Sequence, residues 1–486
     1  MTERRSLIIG NRDVCSVSGR TTPDVNPYTG DTFANLPAAG AADVTLAVDA
    51  AAGACADWAR ASPSRRRDIL WRAADLLEER AASAVKLMAT ETGGTVGWSG
   101  FNVALGAAML REAAASVSRP IGEVLATYNP DALSFAVREP AGVVAAFAPW
   151  NAPVILGCRA VAAPLAAGNT VVLKASEKAP LCSGLLIADA IIEAGAPPGV
   201  LNVITNDPQD ASEVAGTLIG DRRVRRVNFT GSTTSGRRIA ALAAARLIPS
   251  VLELGGKNAL LVLPDADLEY AADAVAFAAY HNSGQICMSA DRVVAHRDVA
   301  DELTARIDAR AERLRCGDPT DPGNALGPLI DASAARRVAT LVDDAVRRGA
   351  DLRAGGGKPD GACYPATVVA DVDPSMPLYS EEIFGPVCTV HSADSVDEAV
   401  AIANDSPYGL TAGVLTEDLA RGWDVARRLR TGIVHVNDQS IDDEPQAPFG
   451  GVKDSGHGRF GGMAGIEAFS ELRWITLRGR HRKFPL

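Results

Sequence analysis

The sequence has no long apolar run, no excess of basic residues and no closely spaced pair of cysteines. Its first ten residues carry charges and lack the apolar stretch of a secretory signal, so we expect a cytoplasmic protein. The longest nearly uncharged segment, residues 141–158, contains Pro149 and Pro153, which favour a strand, a turn and a helix start over a membrane span. A net charge of −11 argues against binding to nucleic acid or to an anionic membrane.

The eight cysteines are scattered through a chain of 486 residues, and no two of them form a C-x-x-C pair. This arrangement predicts reduced thiols in a cytosol, without a structural metal cluster. The sequence also lacks internal repeats, low-complexity segments and the G-x-G-x-x-G fingerprint of many dinucleotide-binding proteins. The apolar content of 47% is that of an ordinary globular protein, and the length predicts two or three domains.

Short apolar segments alternate with helical patterns from residue 142 onward. These segments are rich in Val, Leu and Phe and lack clean polar alternation, which is typical of strands buried on both faces. We predict strands at 142–148, 170–174, 200–204, 225–229 and 249–253, and helices at 153–167, 180–194, 209–219 and 233–247. The alternation continues beyond a boundary near Gly255 and Gly256. The predicted fold class is therefore α/β, with two doubly wound parallel sheets that bind ligands at the carboxyl ends of their strands.

A segment before this alternation, residues 118–140, predicts a β-hairpin around an Asn-Pro-Asp turn. An isolated hairpin is only marginally stable in water, so it must pair with a further strand. The expected partner is either the strand-like stretch at 472–477 or another subunit.

Cys287 and Glu253 fall on either side of the predicted boundary, and a cleft between domains is a favoured place for a site. A thiolate can attack a carbonyl carbon and a carboxylate can activate water, so this pair could form and then hydrolyse a thioester. The amide of Asn151 could donate to an oxyanion. Each residue has a structural alternative, because free cysteine is usually a small buried hydrophobe, glutamate can cap or pair, and asparagine can hold a turn.

Two predicted strand ends could bind a nucleotide. Gly231 and Ser232 lie where a strand passes into a helix, and a helix N-terminus favours a phosphate. Lys174 and Glu177 end another strand and could bind the two hydroxyls of a ribose, where a carboxylate would repel a 2′-phosphate and favour NAD over NADP. An ordinary strand-to-helix turn and a solvated strand end remain the alternatives.

Seven short motifs, taken in order, resemble the aldehyde dehydrogenase superfamily over nearly the full length of the chain. They are APWNAP at 148–153, KASE at 174–177, FTGST at 229–233, ELGGK at 253–257, GQIC at 284–287, EEIFGPV at 381–387 and PFGGVK at 448–453. Seven motifs in the family's order do not recur together by chance, so the chain is identified as a member of this family.

The resemblance implies a role for each matched residue. Cys287 would attack an aldehyde, and Asn151 and the main-chain N–H of Cys287 would bind the oxyanion. Glu253 would activate the water that releases the acid. The residues implied at the cofactor NAD are Trp150, Lys174, Ser176, Glu177, Gly231, Ser232, Leu254, Glu382 and Phe384.

The resemblance also implies three parts of the fold. They are an NAD-binding domain (1–117 and 141–252), a catalytic domain (253–452), and a small β oligomerisation arm (118–140 and 470–486). The arm would join subunits into a homodimer or a homotetramer. The expected partners are a small aldehyde and copies of the chain, with no nucleic acid, no membrane and no metal.

Three positions bear on the reaction within the family. Members that transfer the acyl group to coenzyme A usually lack the carboxylate of Glu253, so its presence favours release of a free acid. Many relatives have a lysine nine residues after the motif asparagine, where this chain has Ala160. Glu471 matches a glutamate that pairs with that lysine in a proton relay, and without the lysine the support for such a relay is weaker.

Further stretches resemble the branch that oxidises aromatic aldehydes, namely the salicylaldehyde, benzaldehyde and vanillin dehydrogenases. They are FNVALG at 101–106, MLREA at 109–113, WNAPVILG at 150–157, QICMS at 285–289, TGIVHVND at 431–438 and DEPQ at 443–446. Ile286 and Met288 flank the nucleophile and could form an apolar slot, while Trp98 and Phe449 could contact a ring. Arg159 either meets a polar ring substituent or forms a structural ion pair.

The expected function is therefore NAD-dependent oxidation of an aromatic aldehyde to the carboxylic acid. One alternative is the same chemistry on an aliphatic aldehyde or semialdehyde, in a pocket with an anion-binding group and no aromatic walls. The other alternative is a non-catalytic scaffold, against which the presence of Cys287, Glu253 and Asn151 counts.

Overall fold

The computed structural model describes residues 3–481 and 484. Within them the predicted α/β architecture is confirmed, because two large and mostly parallel sheets alternate with helices along the chain. Residues 482, 483, 485 and 486 of the predicted arm, and residues 1 and 2 of the predicted NAD-binding domain, lie outside the described residues.

The first large sheet is buried on both faces. Its eight strands, in order across the sheet, are Gly456–His457, Ser250–Glu253, Val224–Thr230, Val143–Phe147, Thr170–Lys174, Leu201–Ile204, Leu7–Ile9 and Arg12–Val14. Alternate residues of Val143–Phe147 belong to different cores: Val144 packs with helix Pro153–Ala166, and Val143 packs with helix Ala41–Arg60. This double burial explains the unbroken apolar character of the predicted strands.

The second large sheet has seven strands, all parallel to their neighbours except the first. In order across the sheet they are Asp351–Ala354, Thr367–Ala370, Val387–Ala393, Arg292–His296, Ala259–Val262, Thr411–Leu415 and Ile433–Val436. The chain leaves the first sheet at Glu253 and enters the second at Ala259.

Helices cover the faces of both sheets. The α-helices are Ala41–Arg60, Pro63–Glu79, Ala81–Thr92, Val96–Ser116, Pro153–Ala166, Leu186–Glu193, Ala211–Gly220, Thr233–Ala245, Leu268–Tyr280, Arg297–Ala311, Ala332–Arg347, Pro377–Ser380, Val396–Asn404, Leu419–Arg428 and Gly462–Ala468. In the described part of the chain, none of them combines the length and the apolar character that a bilayer crossing requires.

The predicted hairpin is present and finds a third strand. Gly122–Leu125 pairs with Ala132–Pro140, which pairs in turn with Ser470–Arg478, and both pairings are antiparallel. The pairing with a C-terminal strand is therefore confirmed. A separate small sheet near the N-terminus contains Glu3–Arg4, Thr32–Pro37 and Thr21–Val25.

The apolar stripe after Ser62 belongs to two successive helices, Pro63–Glu79 and Ala81–Thr92. They separate at Arg80, where φ is −97° and ψ is 8°, and both bury apolar faces in one core. Because both faces meet the same core, the apolar periodicity alone does not reveal the break.

The helix predicted at 180–194 begins differently from an ordinary α-helix. Its first turn, Leu181–Leu185, is π-helical, and the carboxylate of buried Glu91 accepts the N–H groups of Leu181 and Cys182 at 2.7 and 2.8 Å. A partner ninety residues away along the chain leaves no local signal in the sequence.

Candidate active site

A cavity of about 290 Å³ lies at the carboxyl ends of Val224–Thr230 and Ser250–Glu253, where they face loops of the second sheet. Its lining residues are Pro149, Trp150, Asn151, Thr230, Gly231, Ser232, Glu253, Leu254, Gly255, Gln285, Cys287, Ala334, Arg337, Glu382 and Phe384. The structure thus brings together the three predicted catalytic residues and six of the nine residues predicted at the cofactor.

Cys287 follows a short 3₁₀ segment, His281–Gly284, and its side chain reaches the cavity. Burial raises the pKa of the Cys287 thiol to about 12, and the carboxylates of Glu253 and Glu382 act in the same direction. The guanidinium of Arg159 opposes this rise. A thiolate at this position therefore depends on the positive charge nearby.

Glu253 is the last residue of its strand and is 3% exposed. Burial raises the pKa of this carboxyl well above its ordinary value, and the guanidinium groups of Arg159 and Arg459 oppose the rise. Among the described residues, neither of its carboxylate oxygens has a hydrogen-bond partner. A buried carboxyl with a raised pKa and free oxygens is suited to accept a proton from a water in the cavity.

Asn151 is 7% exposed, and both its side chain and its main chain make hydrogen bonds at the cavity wall. Its Nδ2 donates to the carbonyl of Gln285 at 3.0 Å. The main-chain carbonyl of Asn151 accepts from Trp98 Nε1 at 3.2 Å and from Asn282 Nδ2 at 3.1 Å. One of the two amide hydrogens is thus left to donate into the cavity.

The cofactor side of the cavity has little space to spare. A Cβ on Gly255 would lie 2.4 Å from a carboxylate oxygen of Glu382, and the N–H of Gly256 donates to that carboxylate at 2.9 Å. The rings of Trp150 and Phe384 meet edge to face at 5.5 Å. Burial raises the pKa of Glu382 to about 7.

A helix begins at this side of the cavity. Ser232 is the N-cap of Thr233–Ala245, and its side chain accepts from the N–H of Ser235 at 3.3 Å. A helix N-terminus next to a cavity is a suitable place for a phosphate. These features fit a dinucleotide.

The other predicted cofactor residues lie outside this cavity. Lys174 donates to the carboxylate of Glu177, which also accepts from Asn206 Nδ2 at 3.3 Å. Glu177 lines a wider cleft of about 620 Å³. Ser176 is buried, and its hydroxyl accepts from the N–H of Lys178. The charged pair that could hold a ribose is thus formed and oriented by its own contacts.

Arg159 is 5% exposed, forms an ion pair with Asp443 and lies 4.1 Å above the ring of Phe449. Of the two roles considered for Arg159, its contacts are those of a structural ion pair. Two of its nitrogens, Nε and Nη1, have no hydrogen-bond partner among the described residues, and Asp443 Oδ1 has none either. Arg159 also lines a second, small cavity of about 30 Å³.

The remaining predicted pocket residues belong to the apolar core. Ile286 is 4% exposed and Met288 is 6% exposed, and both pack in the same cluster as Phe449. Trp98 is 2% exposed and stacks with Phe101, while its indole N–H is used by the carbonyl of Asn151. Trp98 is thus placed behind Asn151.

Glu471 is bound elsewhere. It accepts from Arg226 Nη1 at 2.8 Å, and this hydrogen bond lowers the pKa of the Glu471 carboxyl. Ala160 packs in the apolar core, and its carbonyl accepts from Asn228 Nδ2 at 3.0 Å.

Sequence reasoning missed several residues that the structure places at the site. Arg337 lines the cavity and donates to the carbonyls of Glu382 and Ile383. Asn282 and Asp443 contact Asn151 and Arg159 respectively. Arg337 had no signal beyond a charge on an amphipathic helix, whereas Asn282 lies next to a predicted motif. Within the described residues, no group of three or more potential ligands could hold a metal ion.

The cavity contains a thiol and a carboxylate, and it lies where parallel strands end. This arrangement is that of an enzyme with a doubly wound α/β fold. A family model, described as the aldehyde dehydrogenase family, matches residues 14–475. The chain belongs to the aldehyde dehydrogenase family, which confirms the expectation from its motifs.

Individual proteins are similar to this chain over nearly its whole length. The chain is 48% identical to a vanillin dehydrogenase of Pseudomonas fluorescens over 480 residues, 99% of each chain. It is 40% identical to an NAD(+) benzaldehyde dehydrogenase of Pseudomonas putida, covering 95% of this chain and 94% of the other. A crystal structure of a salicylaldehyde dehydrogenase from Pseudomonas putida G7, complexed with salicylaldehyde, has a TM-score of 0.97 at 39% identity, covering 99% and 100%.

The raised pKa of Cys287 predicts a rise of kcat/KM with pH. The attack expected of Cys287 needs the thiolate, and a raised pKa moves the thiolate to higher pH, so kcat/KM should climb from about pH 6 to about pH 10. The rate of Cys287 alkylation by iodoacetamide should climb in parallel, with Cys287→Ala giving the background from the other thiols. A plateau of both quantities below about pH 8 would contradict the prediction.

Proposed function

We propose that the protein oxidises an aromatic aldehyde to the carboxylic acid with NAD and releases the acid by hydrolysis. The observation that carries this proposal is the presence of Cys287, Glu253 and Asn151 in one cavity at the strand ends. A scaffold without activity has no need to bury an unpaired carboxylate beside a thiol, because such burial costs stability.

The reaction begins at Cys287. Its Sγ forms a bond to the aldehyde carbon while the thiol proton leaves to a base, and the carbonyl oxygen becomes an oxyanion. The free amide hydrogen of Asn151 and the N–H of Cys287 donate to this oxyanion. Bound NAD would supply the hydride acceptor at this cavity, and loss of a hydride from the carbon would leave a thioester on Cys287.

Hydrolysis completes the cycle. Glu253 takes a proton from a water molecule as that water attacks the thioester carbon. The carbon–sulfur bond then breaks, Cys287 regains a proton and the acid departs. Burial raises the pKa of Glu253, and a higher pKa makes this carboxylate a stronger acceptor for the proton of the water.

Several residues are proposed to hold NAD. Lys174 and Glu177 bind the adenosine ribose, and the carboxylate of Glu177 repels the 2′-phosphate of NADP. Ser232 and the helix that it caps face the phosphates. Glu382 binds the nicotinamide ribose and Phe384 lies beside the nicotinamide. The name of the Pseudomonas putida relative, an NAD(+) benzaldehyde dehydrogenase, supports this cofactor.

The aromatic ring is proposed to lie between Cys287 and the small cavity at Arg159, against Phe449 and the apolar side chains of Ile286 and Met288. Support comes from three relatives named for vanillin, benzaldehyde and salicylaldehyde. The free nitrogens of Arg159 offer donors for an oxygen substituent on the ring. A catalytic thiol requires reducing surroundings, so we place the enzyme in the cytoplasm.

Benzaldehyde, salicylaldehyde and vanillin should exceed hexanal and succinic semialdehyde in kcat/KM by about tenfold, which corresponds to about 1.4 kcal/mol of transition-state preference. The rate of NADH formation, followed by its absorbance, measures this with Cys287→Ala as the control without a nucleophile. Aliphatic aldehydes in the lead would overturn the aromatic assignment and leave the chemistry intact. No turnover with any of the five aldehydes, and no difference from Cys287→Ala, would overturn the enzyme assignment.

Replacement of Glu253 by glutamine should separate the two halves of the reaction. The first turnover should still yield one NADH per active site, because attack and hydride transfer precede the step that needs the carboxylate. Steady-state turnover should fall by about a hundredfold or more, since a general base contributes 10²–10⁴-fold. Stopped-flow absorbance and intact-protein mass, which detects the acyl group on Cys287, test this. Equal losses in the burst and in the steady state would show that Glu253 acts earlier.

We also propose that a second copy of the chain covers the three-stranded sheet. One face of this sheet carries Leu477, Leu133 and Val124, which are 55, 57 and 74% exposed. Pairing places Leu477 opposite Leu133, so these side chains form one apolar surface. Exposed apolar surface of this extent on a sheet favours association into a homodimer or homotetramer.

Leu133→Arg should lower the oligomeric mass, because the charge would be buried in the interface. Light scattering coupled to size exclusion measures the mass against the 50.5 kDa chain. The matched control is Leu419→Arg, the same change at a residue 67% exposed on helix Leu419–Arg428. A monomeric native protein, or an equal effect of both variants, would contradict the proposal.

A further inference from the structure

The loop before the nucleophile contains two adjacent residues in left-handed backbone conformations. Asn282 has φ 49° and ψ 36°, and Ser283 has φ 55° and ψ 35°. Neither is glycine, and a left-handed conformation is strained for residues with a side chain, less so for asparagine than for serine. Strain of this kind persists where surrounding contacts hold it, and it concentrates at functional sites.

Each strained residue is held by its own side chain. The amide of Asn282 donates to the carbonyl of Asn151 at 3.1 Å, and the hydroxyl of Ser283 donates to the carbonyl of Gly327 at 2.8 Å. Both residues are buried, with 7 and 2% of their surface exposed. The two side chains therefore tie neighbouring residues of one loop to different parts of the molecule.

The bond from Asn282 is one half of a reciprocal pair. Asn282 donates to the main chain of Asn151, while the side chain of Asn151 donates back to the main chain of Gln285 in the same loop. Trp98 adds a second donor to the Asn151 carbonyl at 3.2 Å. The peptide of Asn151 is thus fixed by two donors, and its carboxamide is fixed by one acceptor, at the wall of the cavity that contains Cys287.

We infer that Asn282 and Trp98 are positioning residues that act on the reaction through Asn151. By fixing its main chain, they aim the remaining amide hydrogen of Asn151 at the position of the oxyanion. Oxyanion stabilisation depends on donors placed before the charge develops, so a small displacement of Asn151 weakens it. The inference deepens the proposed function and rests on the proposed role of Asn151.

Residue chemistry supports this assignment at position 282. Asparagine is one of the few residues other than glycine that adopts the left-handed region readily, and its amide supplies a donor. Glycine would relieve the strain but remove the donor, and aspartate would place an acceptor against the Asn151 carbonyl. Asn282→Gly therefore tests the hydrogen bond without adding backbone strain.

The experiment is a double-mutant cycle between Asn282→Gly and Asn151→Ala, with Ser283→Gly as the matched control. The measured quantity is the rate of NADH formation in the first turnover, before hydrolysis. Asn282→Gly should lower this rate by about tenfold in the native background and by less than about twofold in the Asn151→Ala background. Trp98→Phe, which keeps a ring and removes the N–H, should show the same pattern with a smaller loss.

Two further readouts separate positioning from a general structural defect. The KM for NAD and the rate of Cys287 alkylation by iodoacetamide should stay within about twofold of the native values in Asn282→Gly, because the variant leaves the cofactor site and the thiol in place. Ser283→Gly should leave the first-turnover rate within about twofold as well.

Each outcome bears on the inference. A native rate in Asn151→Ala would overturn both the proposed role of Asn151 and the inference that rests on it. A slow Asn151→Ala combined with an equal loss from Asn282→Gly in both backgrounds would overturn the inference alone. A changed alkylation rate in Asn282→Gly, or an equal loss in Ser283→Gly, would assign the effect to the shape of the loop and would also overturn it.

Discussion

The burial of ionisable groups in one cavity is the constraint on which this site depends. In the proposed reaction Cys287 and Glu253 each have to lose a proton before they act, and burial raises the pKa of both. Arg159 opposes the rise at both groups, yet it is itself buried and needs compensation. Asp443 and the ring face of Phe449 supply that compensation. The proton chemistry of the cavity is thus connected to an ion pair that also lines the proposed path of the substrate.

Close approach of main chains is the second requirement, and it explains the glycines between Glu253 and Lys257. A Cβ on Gly256 would lie 2.6 Å from the carbonyl oxygen of Cys287, so the two segments can pack only if this residue has no side chain. Asn258 then binds the same carbonyl with its amide at 2.7 Å. The strand that ends in Glu253 and the loop that carries Cys287 therefore form one packed unit.

The three-stranded sheet is attached to the same large sheet that supplies the cavity. Arg226, on the strand Val224–Thr230, donates to Glu471 and to main-chain carbonyls of residues 468 and 470. The amide of Asn169 donates to the carbonyl of Phe469 at 2.9 Å. Glu471 therefore helps to hold the C-terminal strand. Its partner is Arg226, whereas position 160, where many relatives have a lysine, is an alanine.

The sequence by itself determined the family, the order of strands and helices between residues 142 and 253, and the motifs that contain Cys287, Glu253 and Asn151. It could do so because each of these is a local feature: an apolar strand has a pattern, and a motif keeps its residues together. The pairing of the hairpin at 118–140 with a C-terminal strand also followed, since an unpaired hairpin is unstable. Other elements had no such signal, such as the break at Arg80 and the short strands near the N-terminus.

Only the tertiary structure decided which residues surround the catalytic ones. The contacts of Asn282 and Trp98 with Asn151 join positions more than fifty residues apart, as does the pairing of Arg159 with Asp443. The sequence shows which hydrogen bonds a side chain can donate or accept. The packing of the two sheets and their loops determines which partner it contacts. The sequence therefore indicated which groups are candidates for the reaction, and the packing of the fold decided which charges and hydrogen-bond partners surround them.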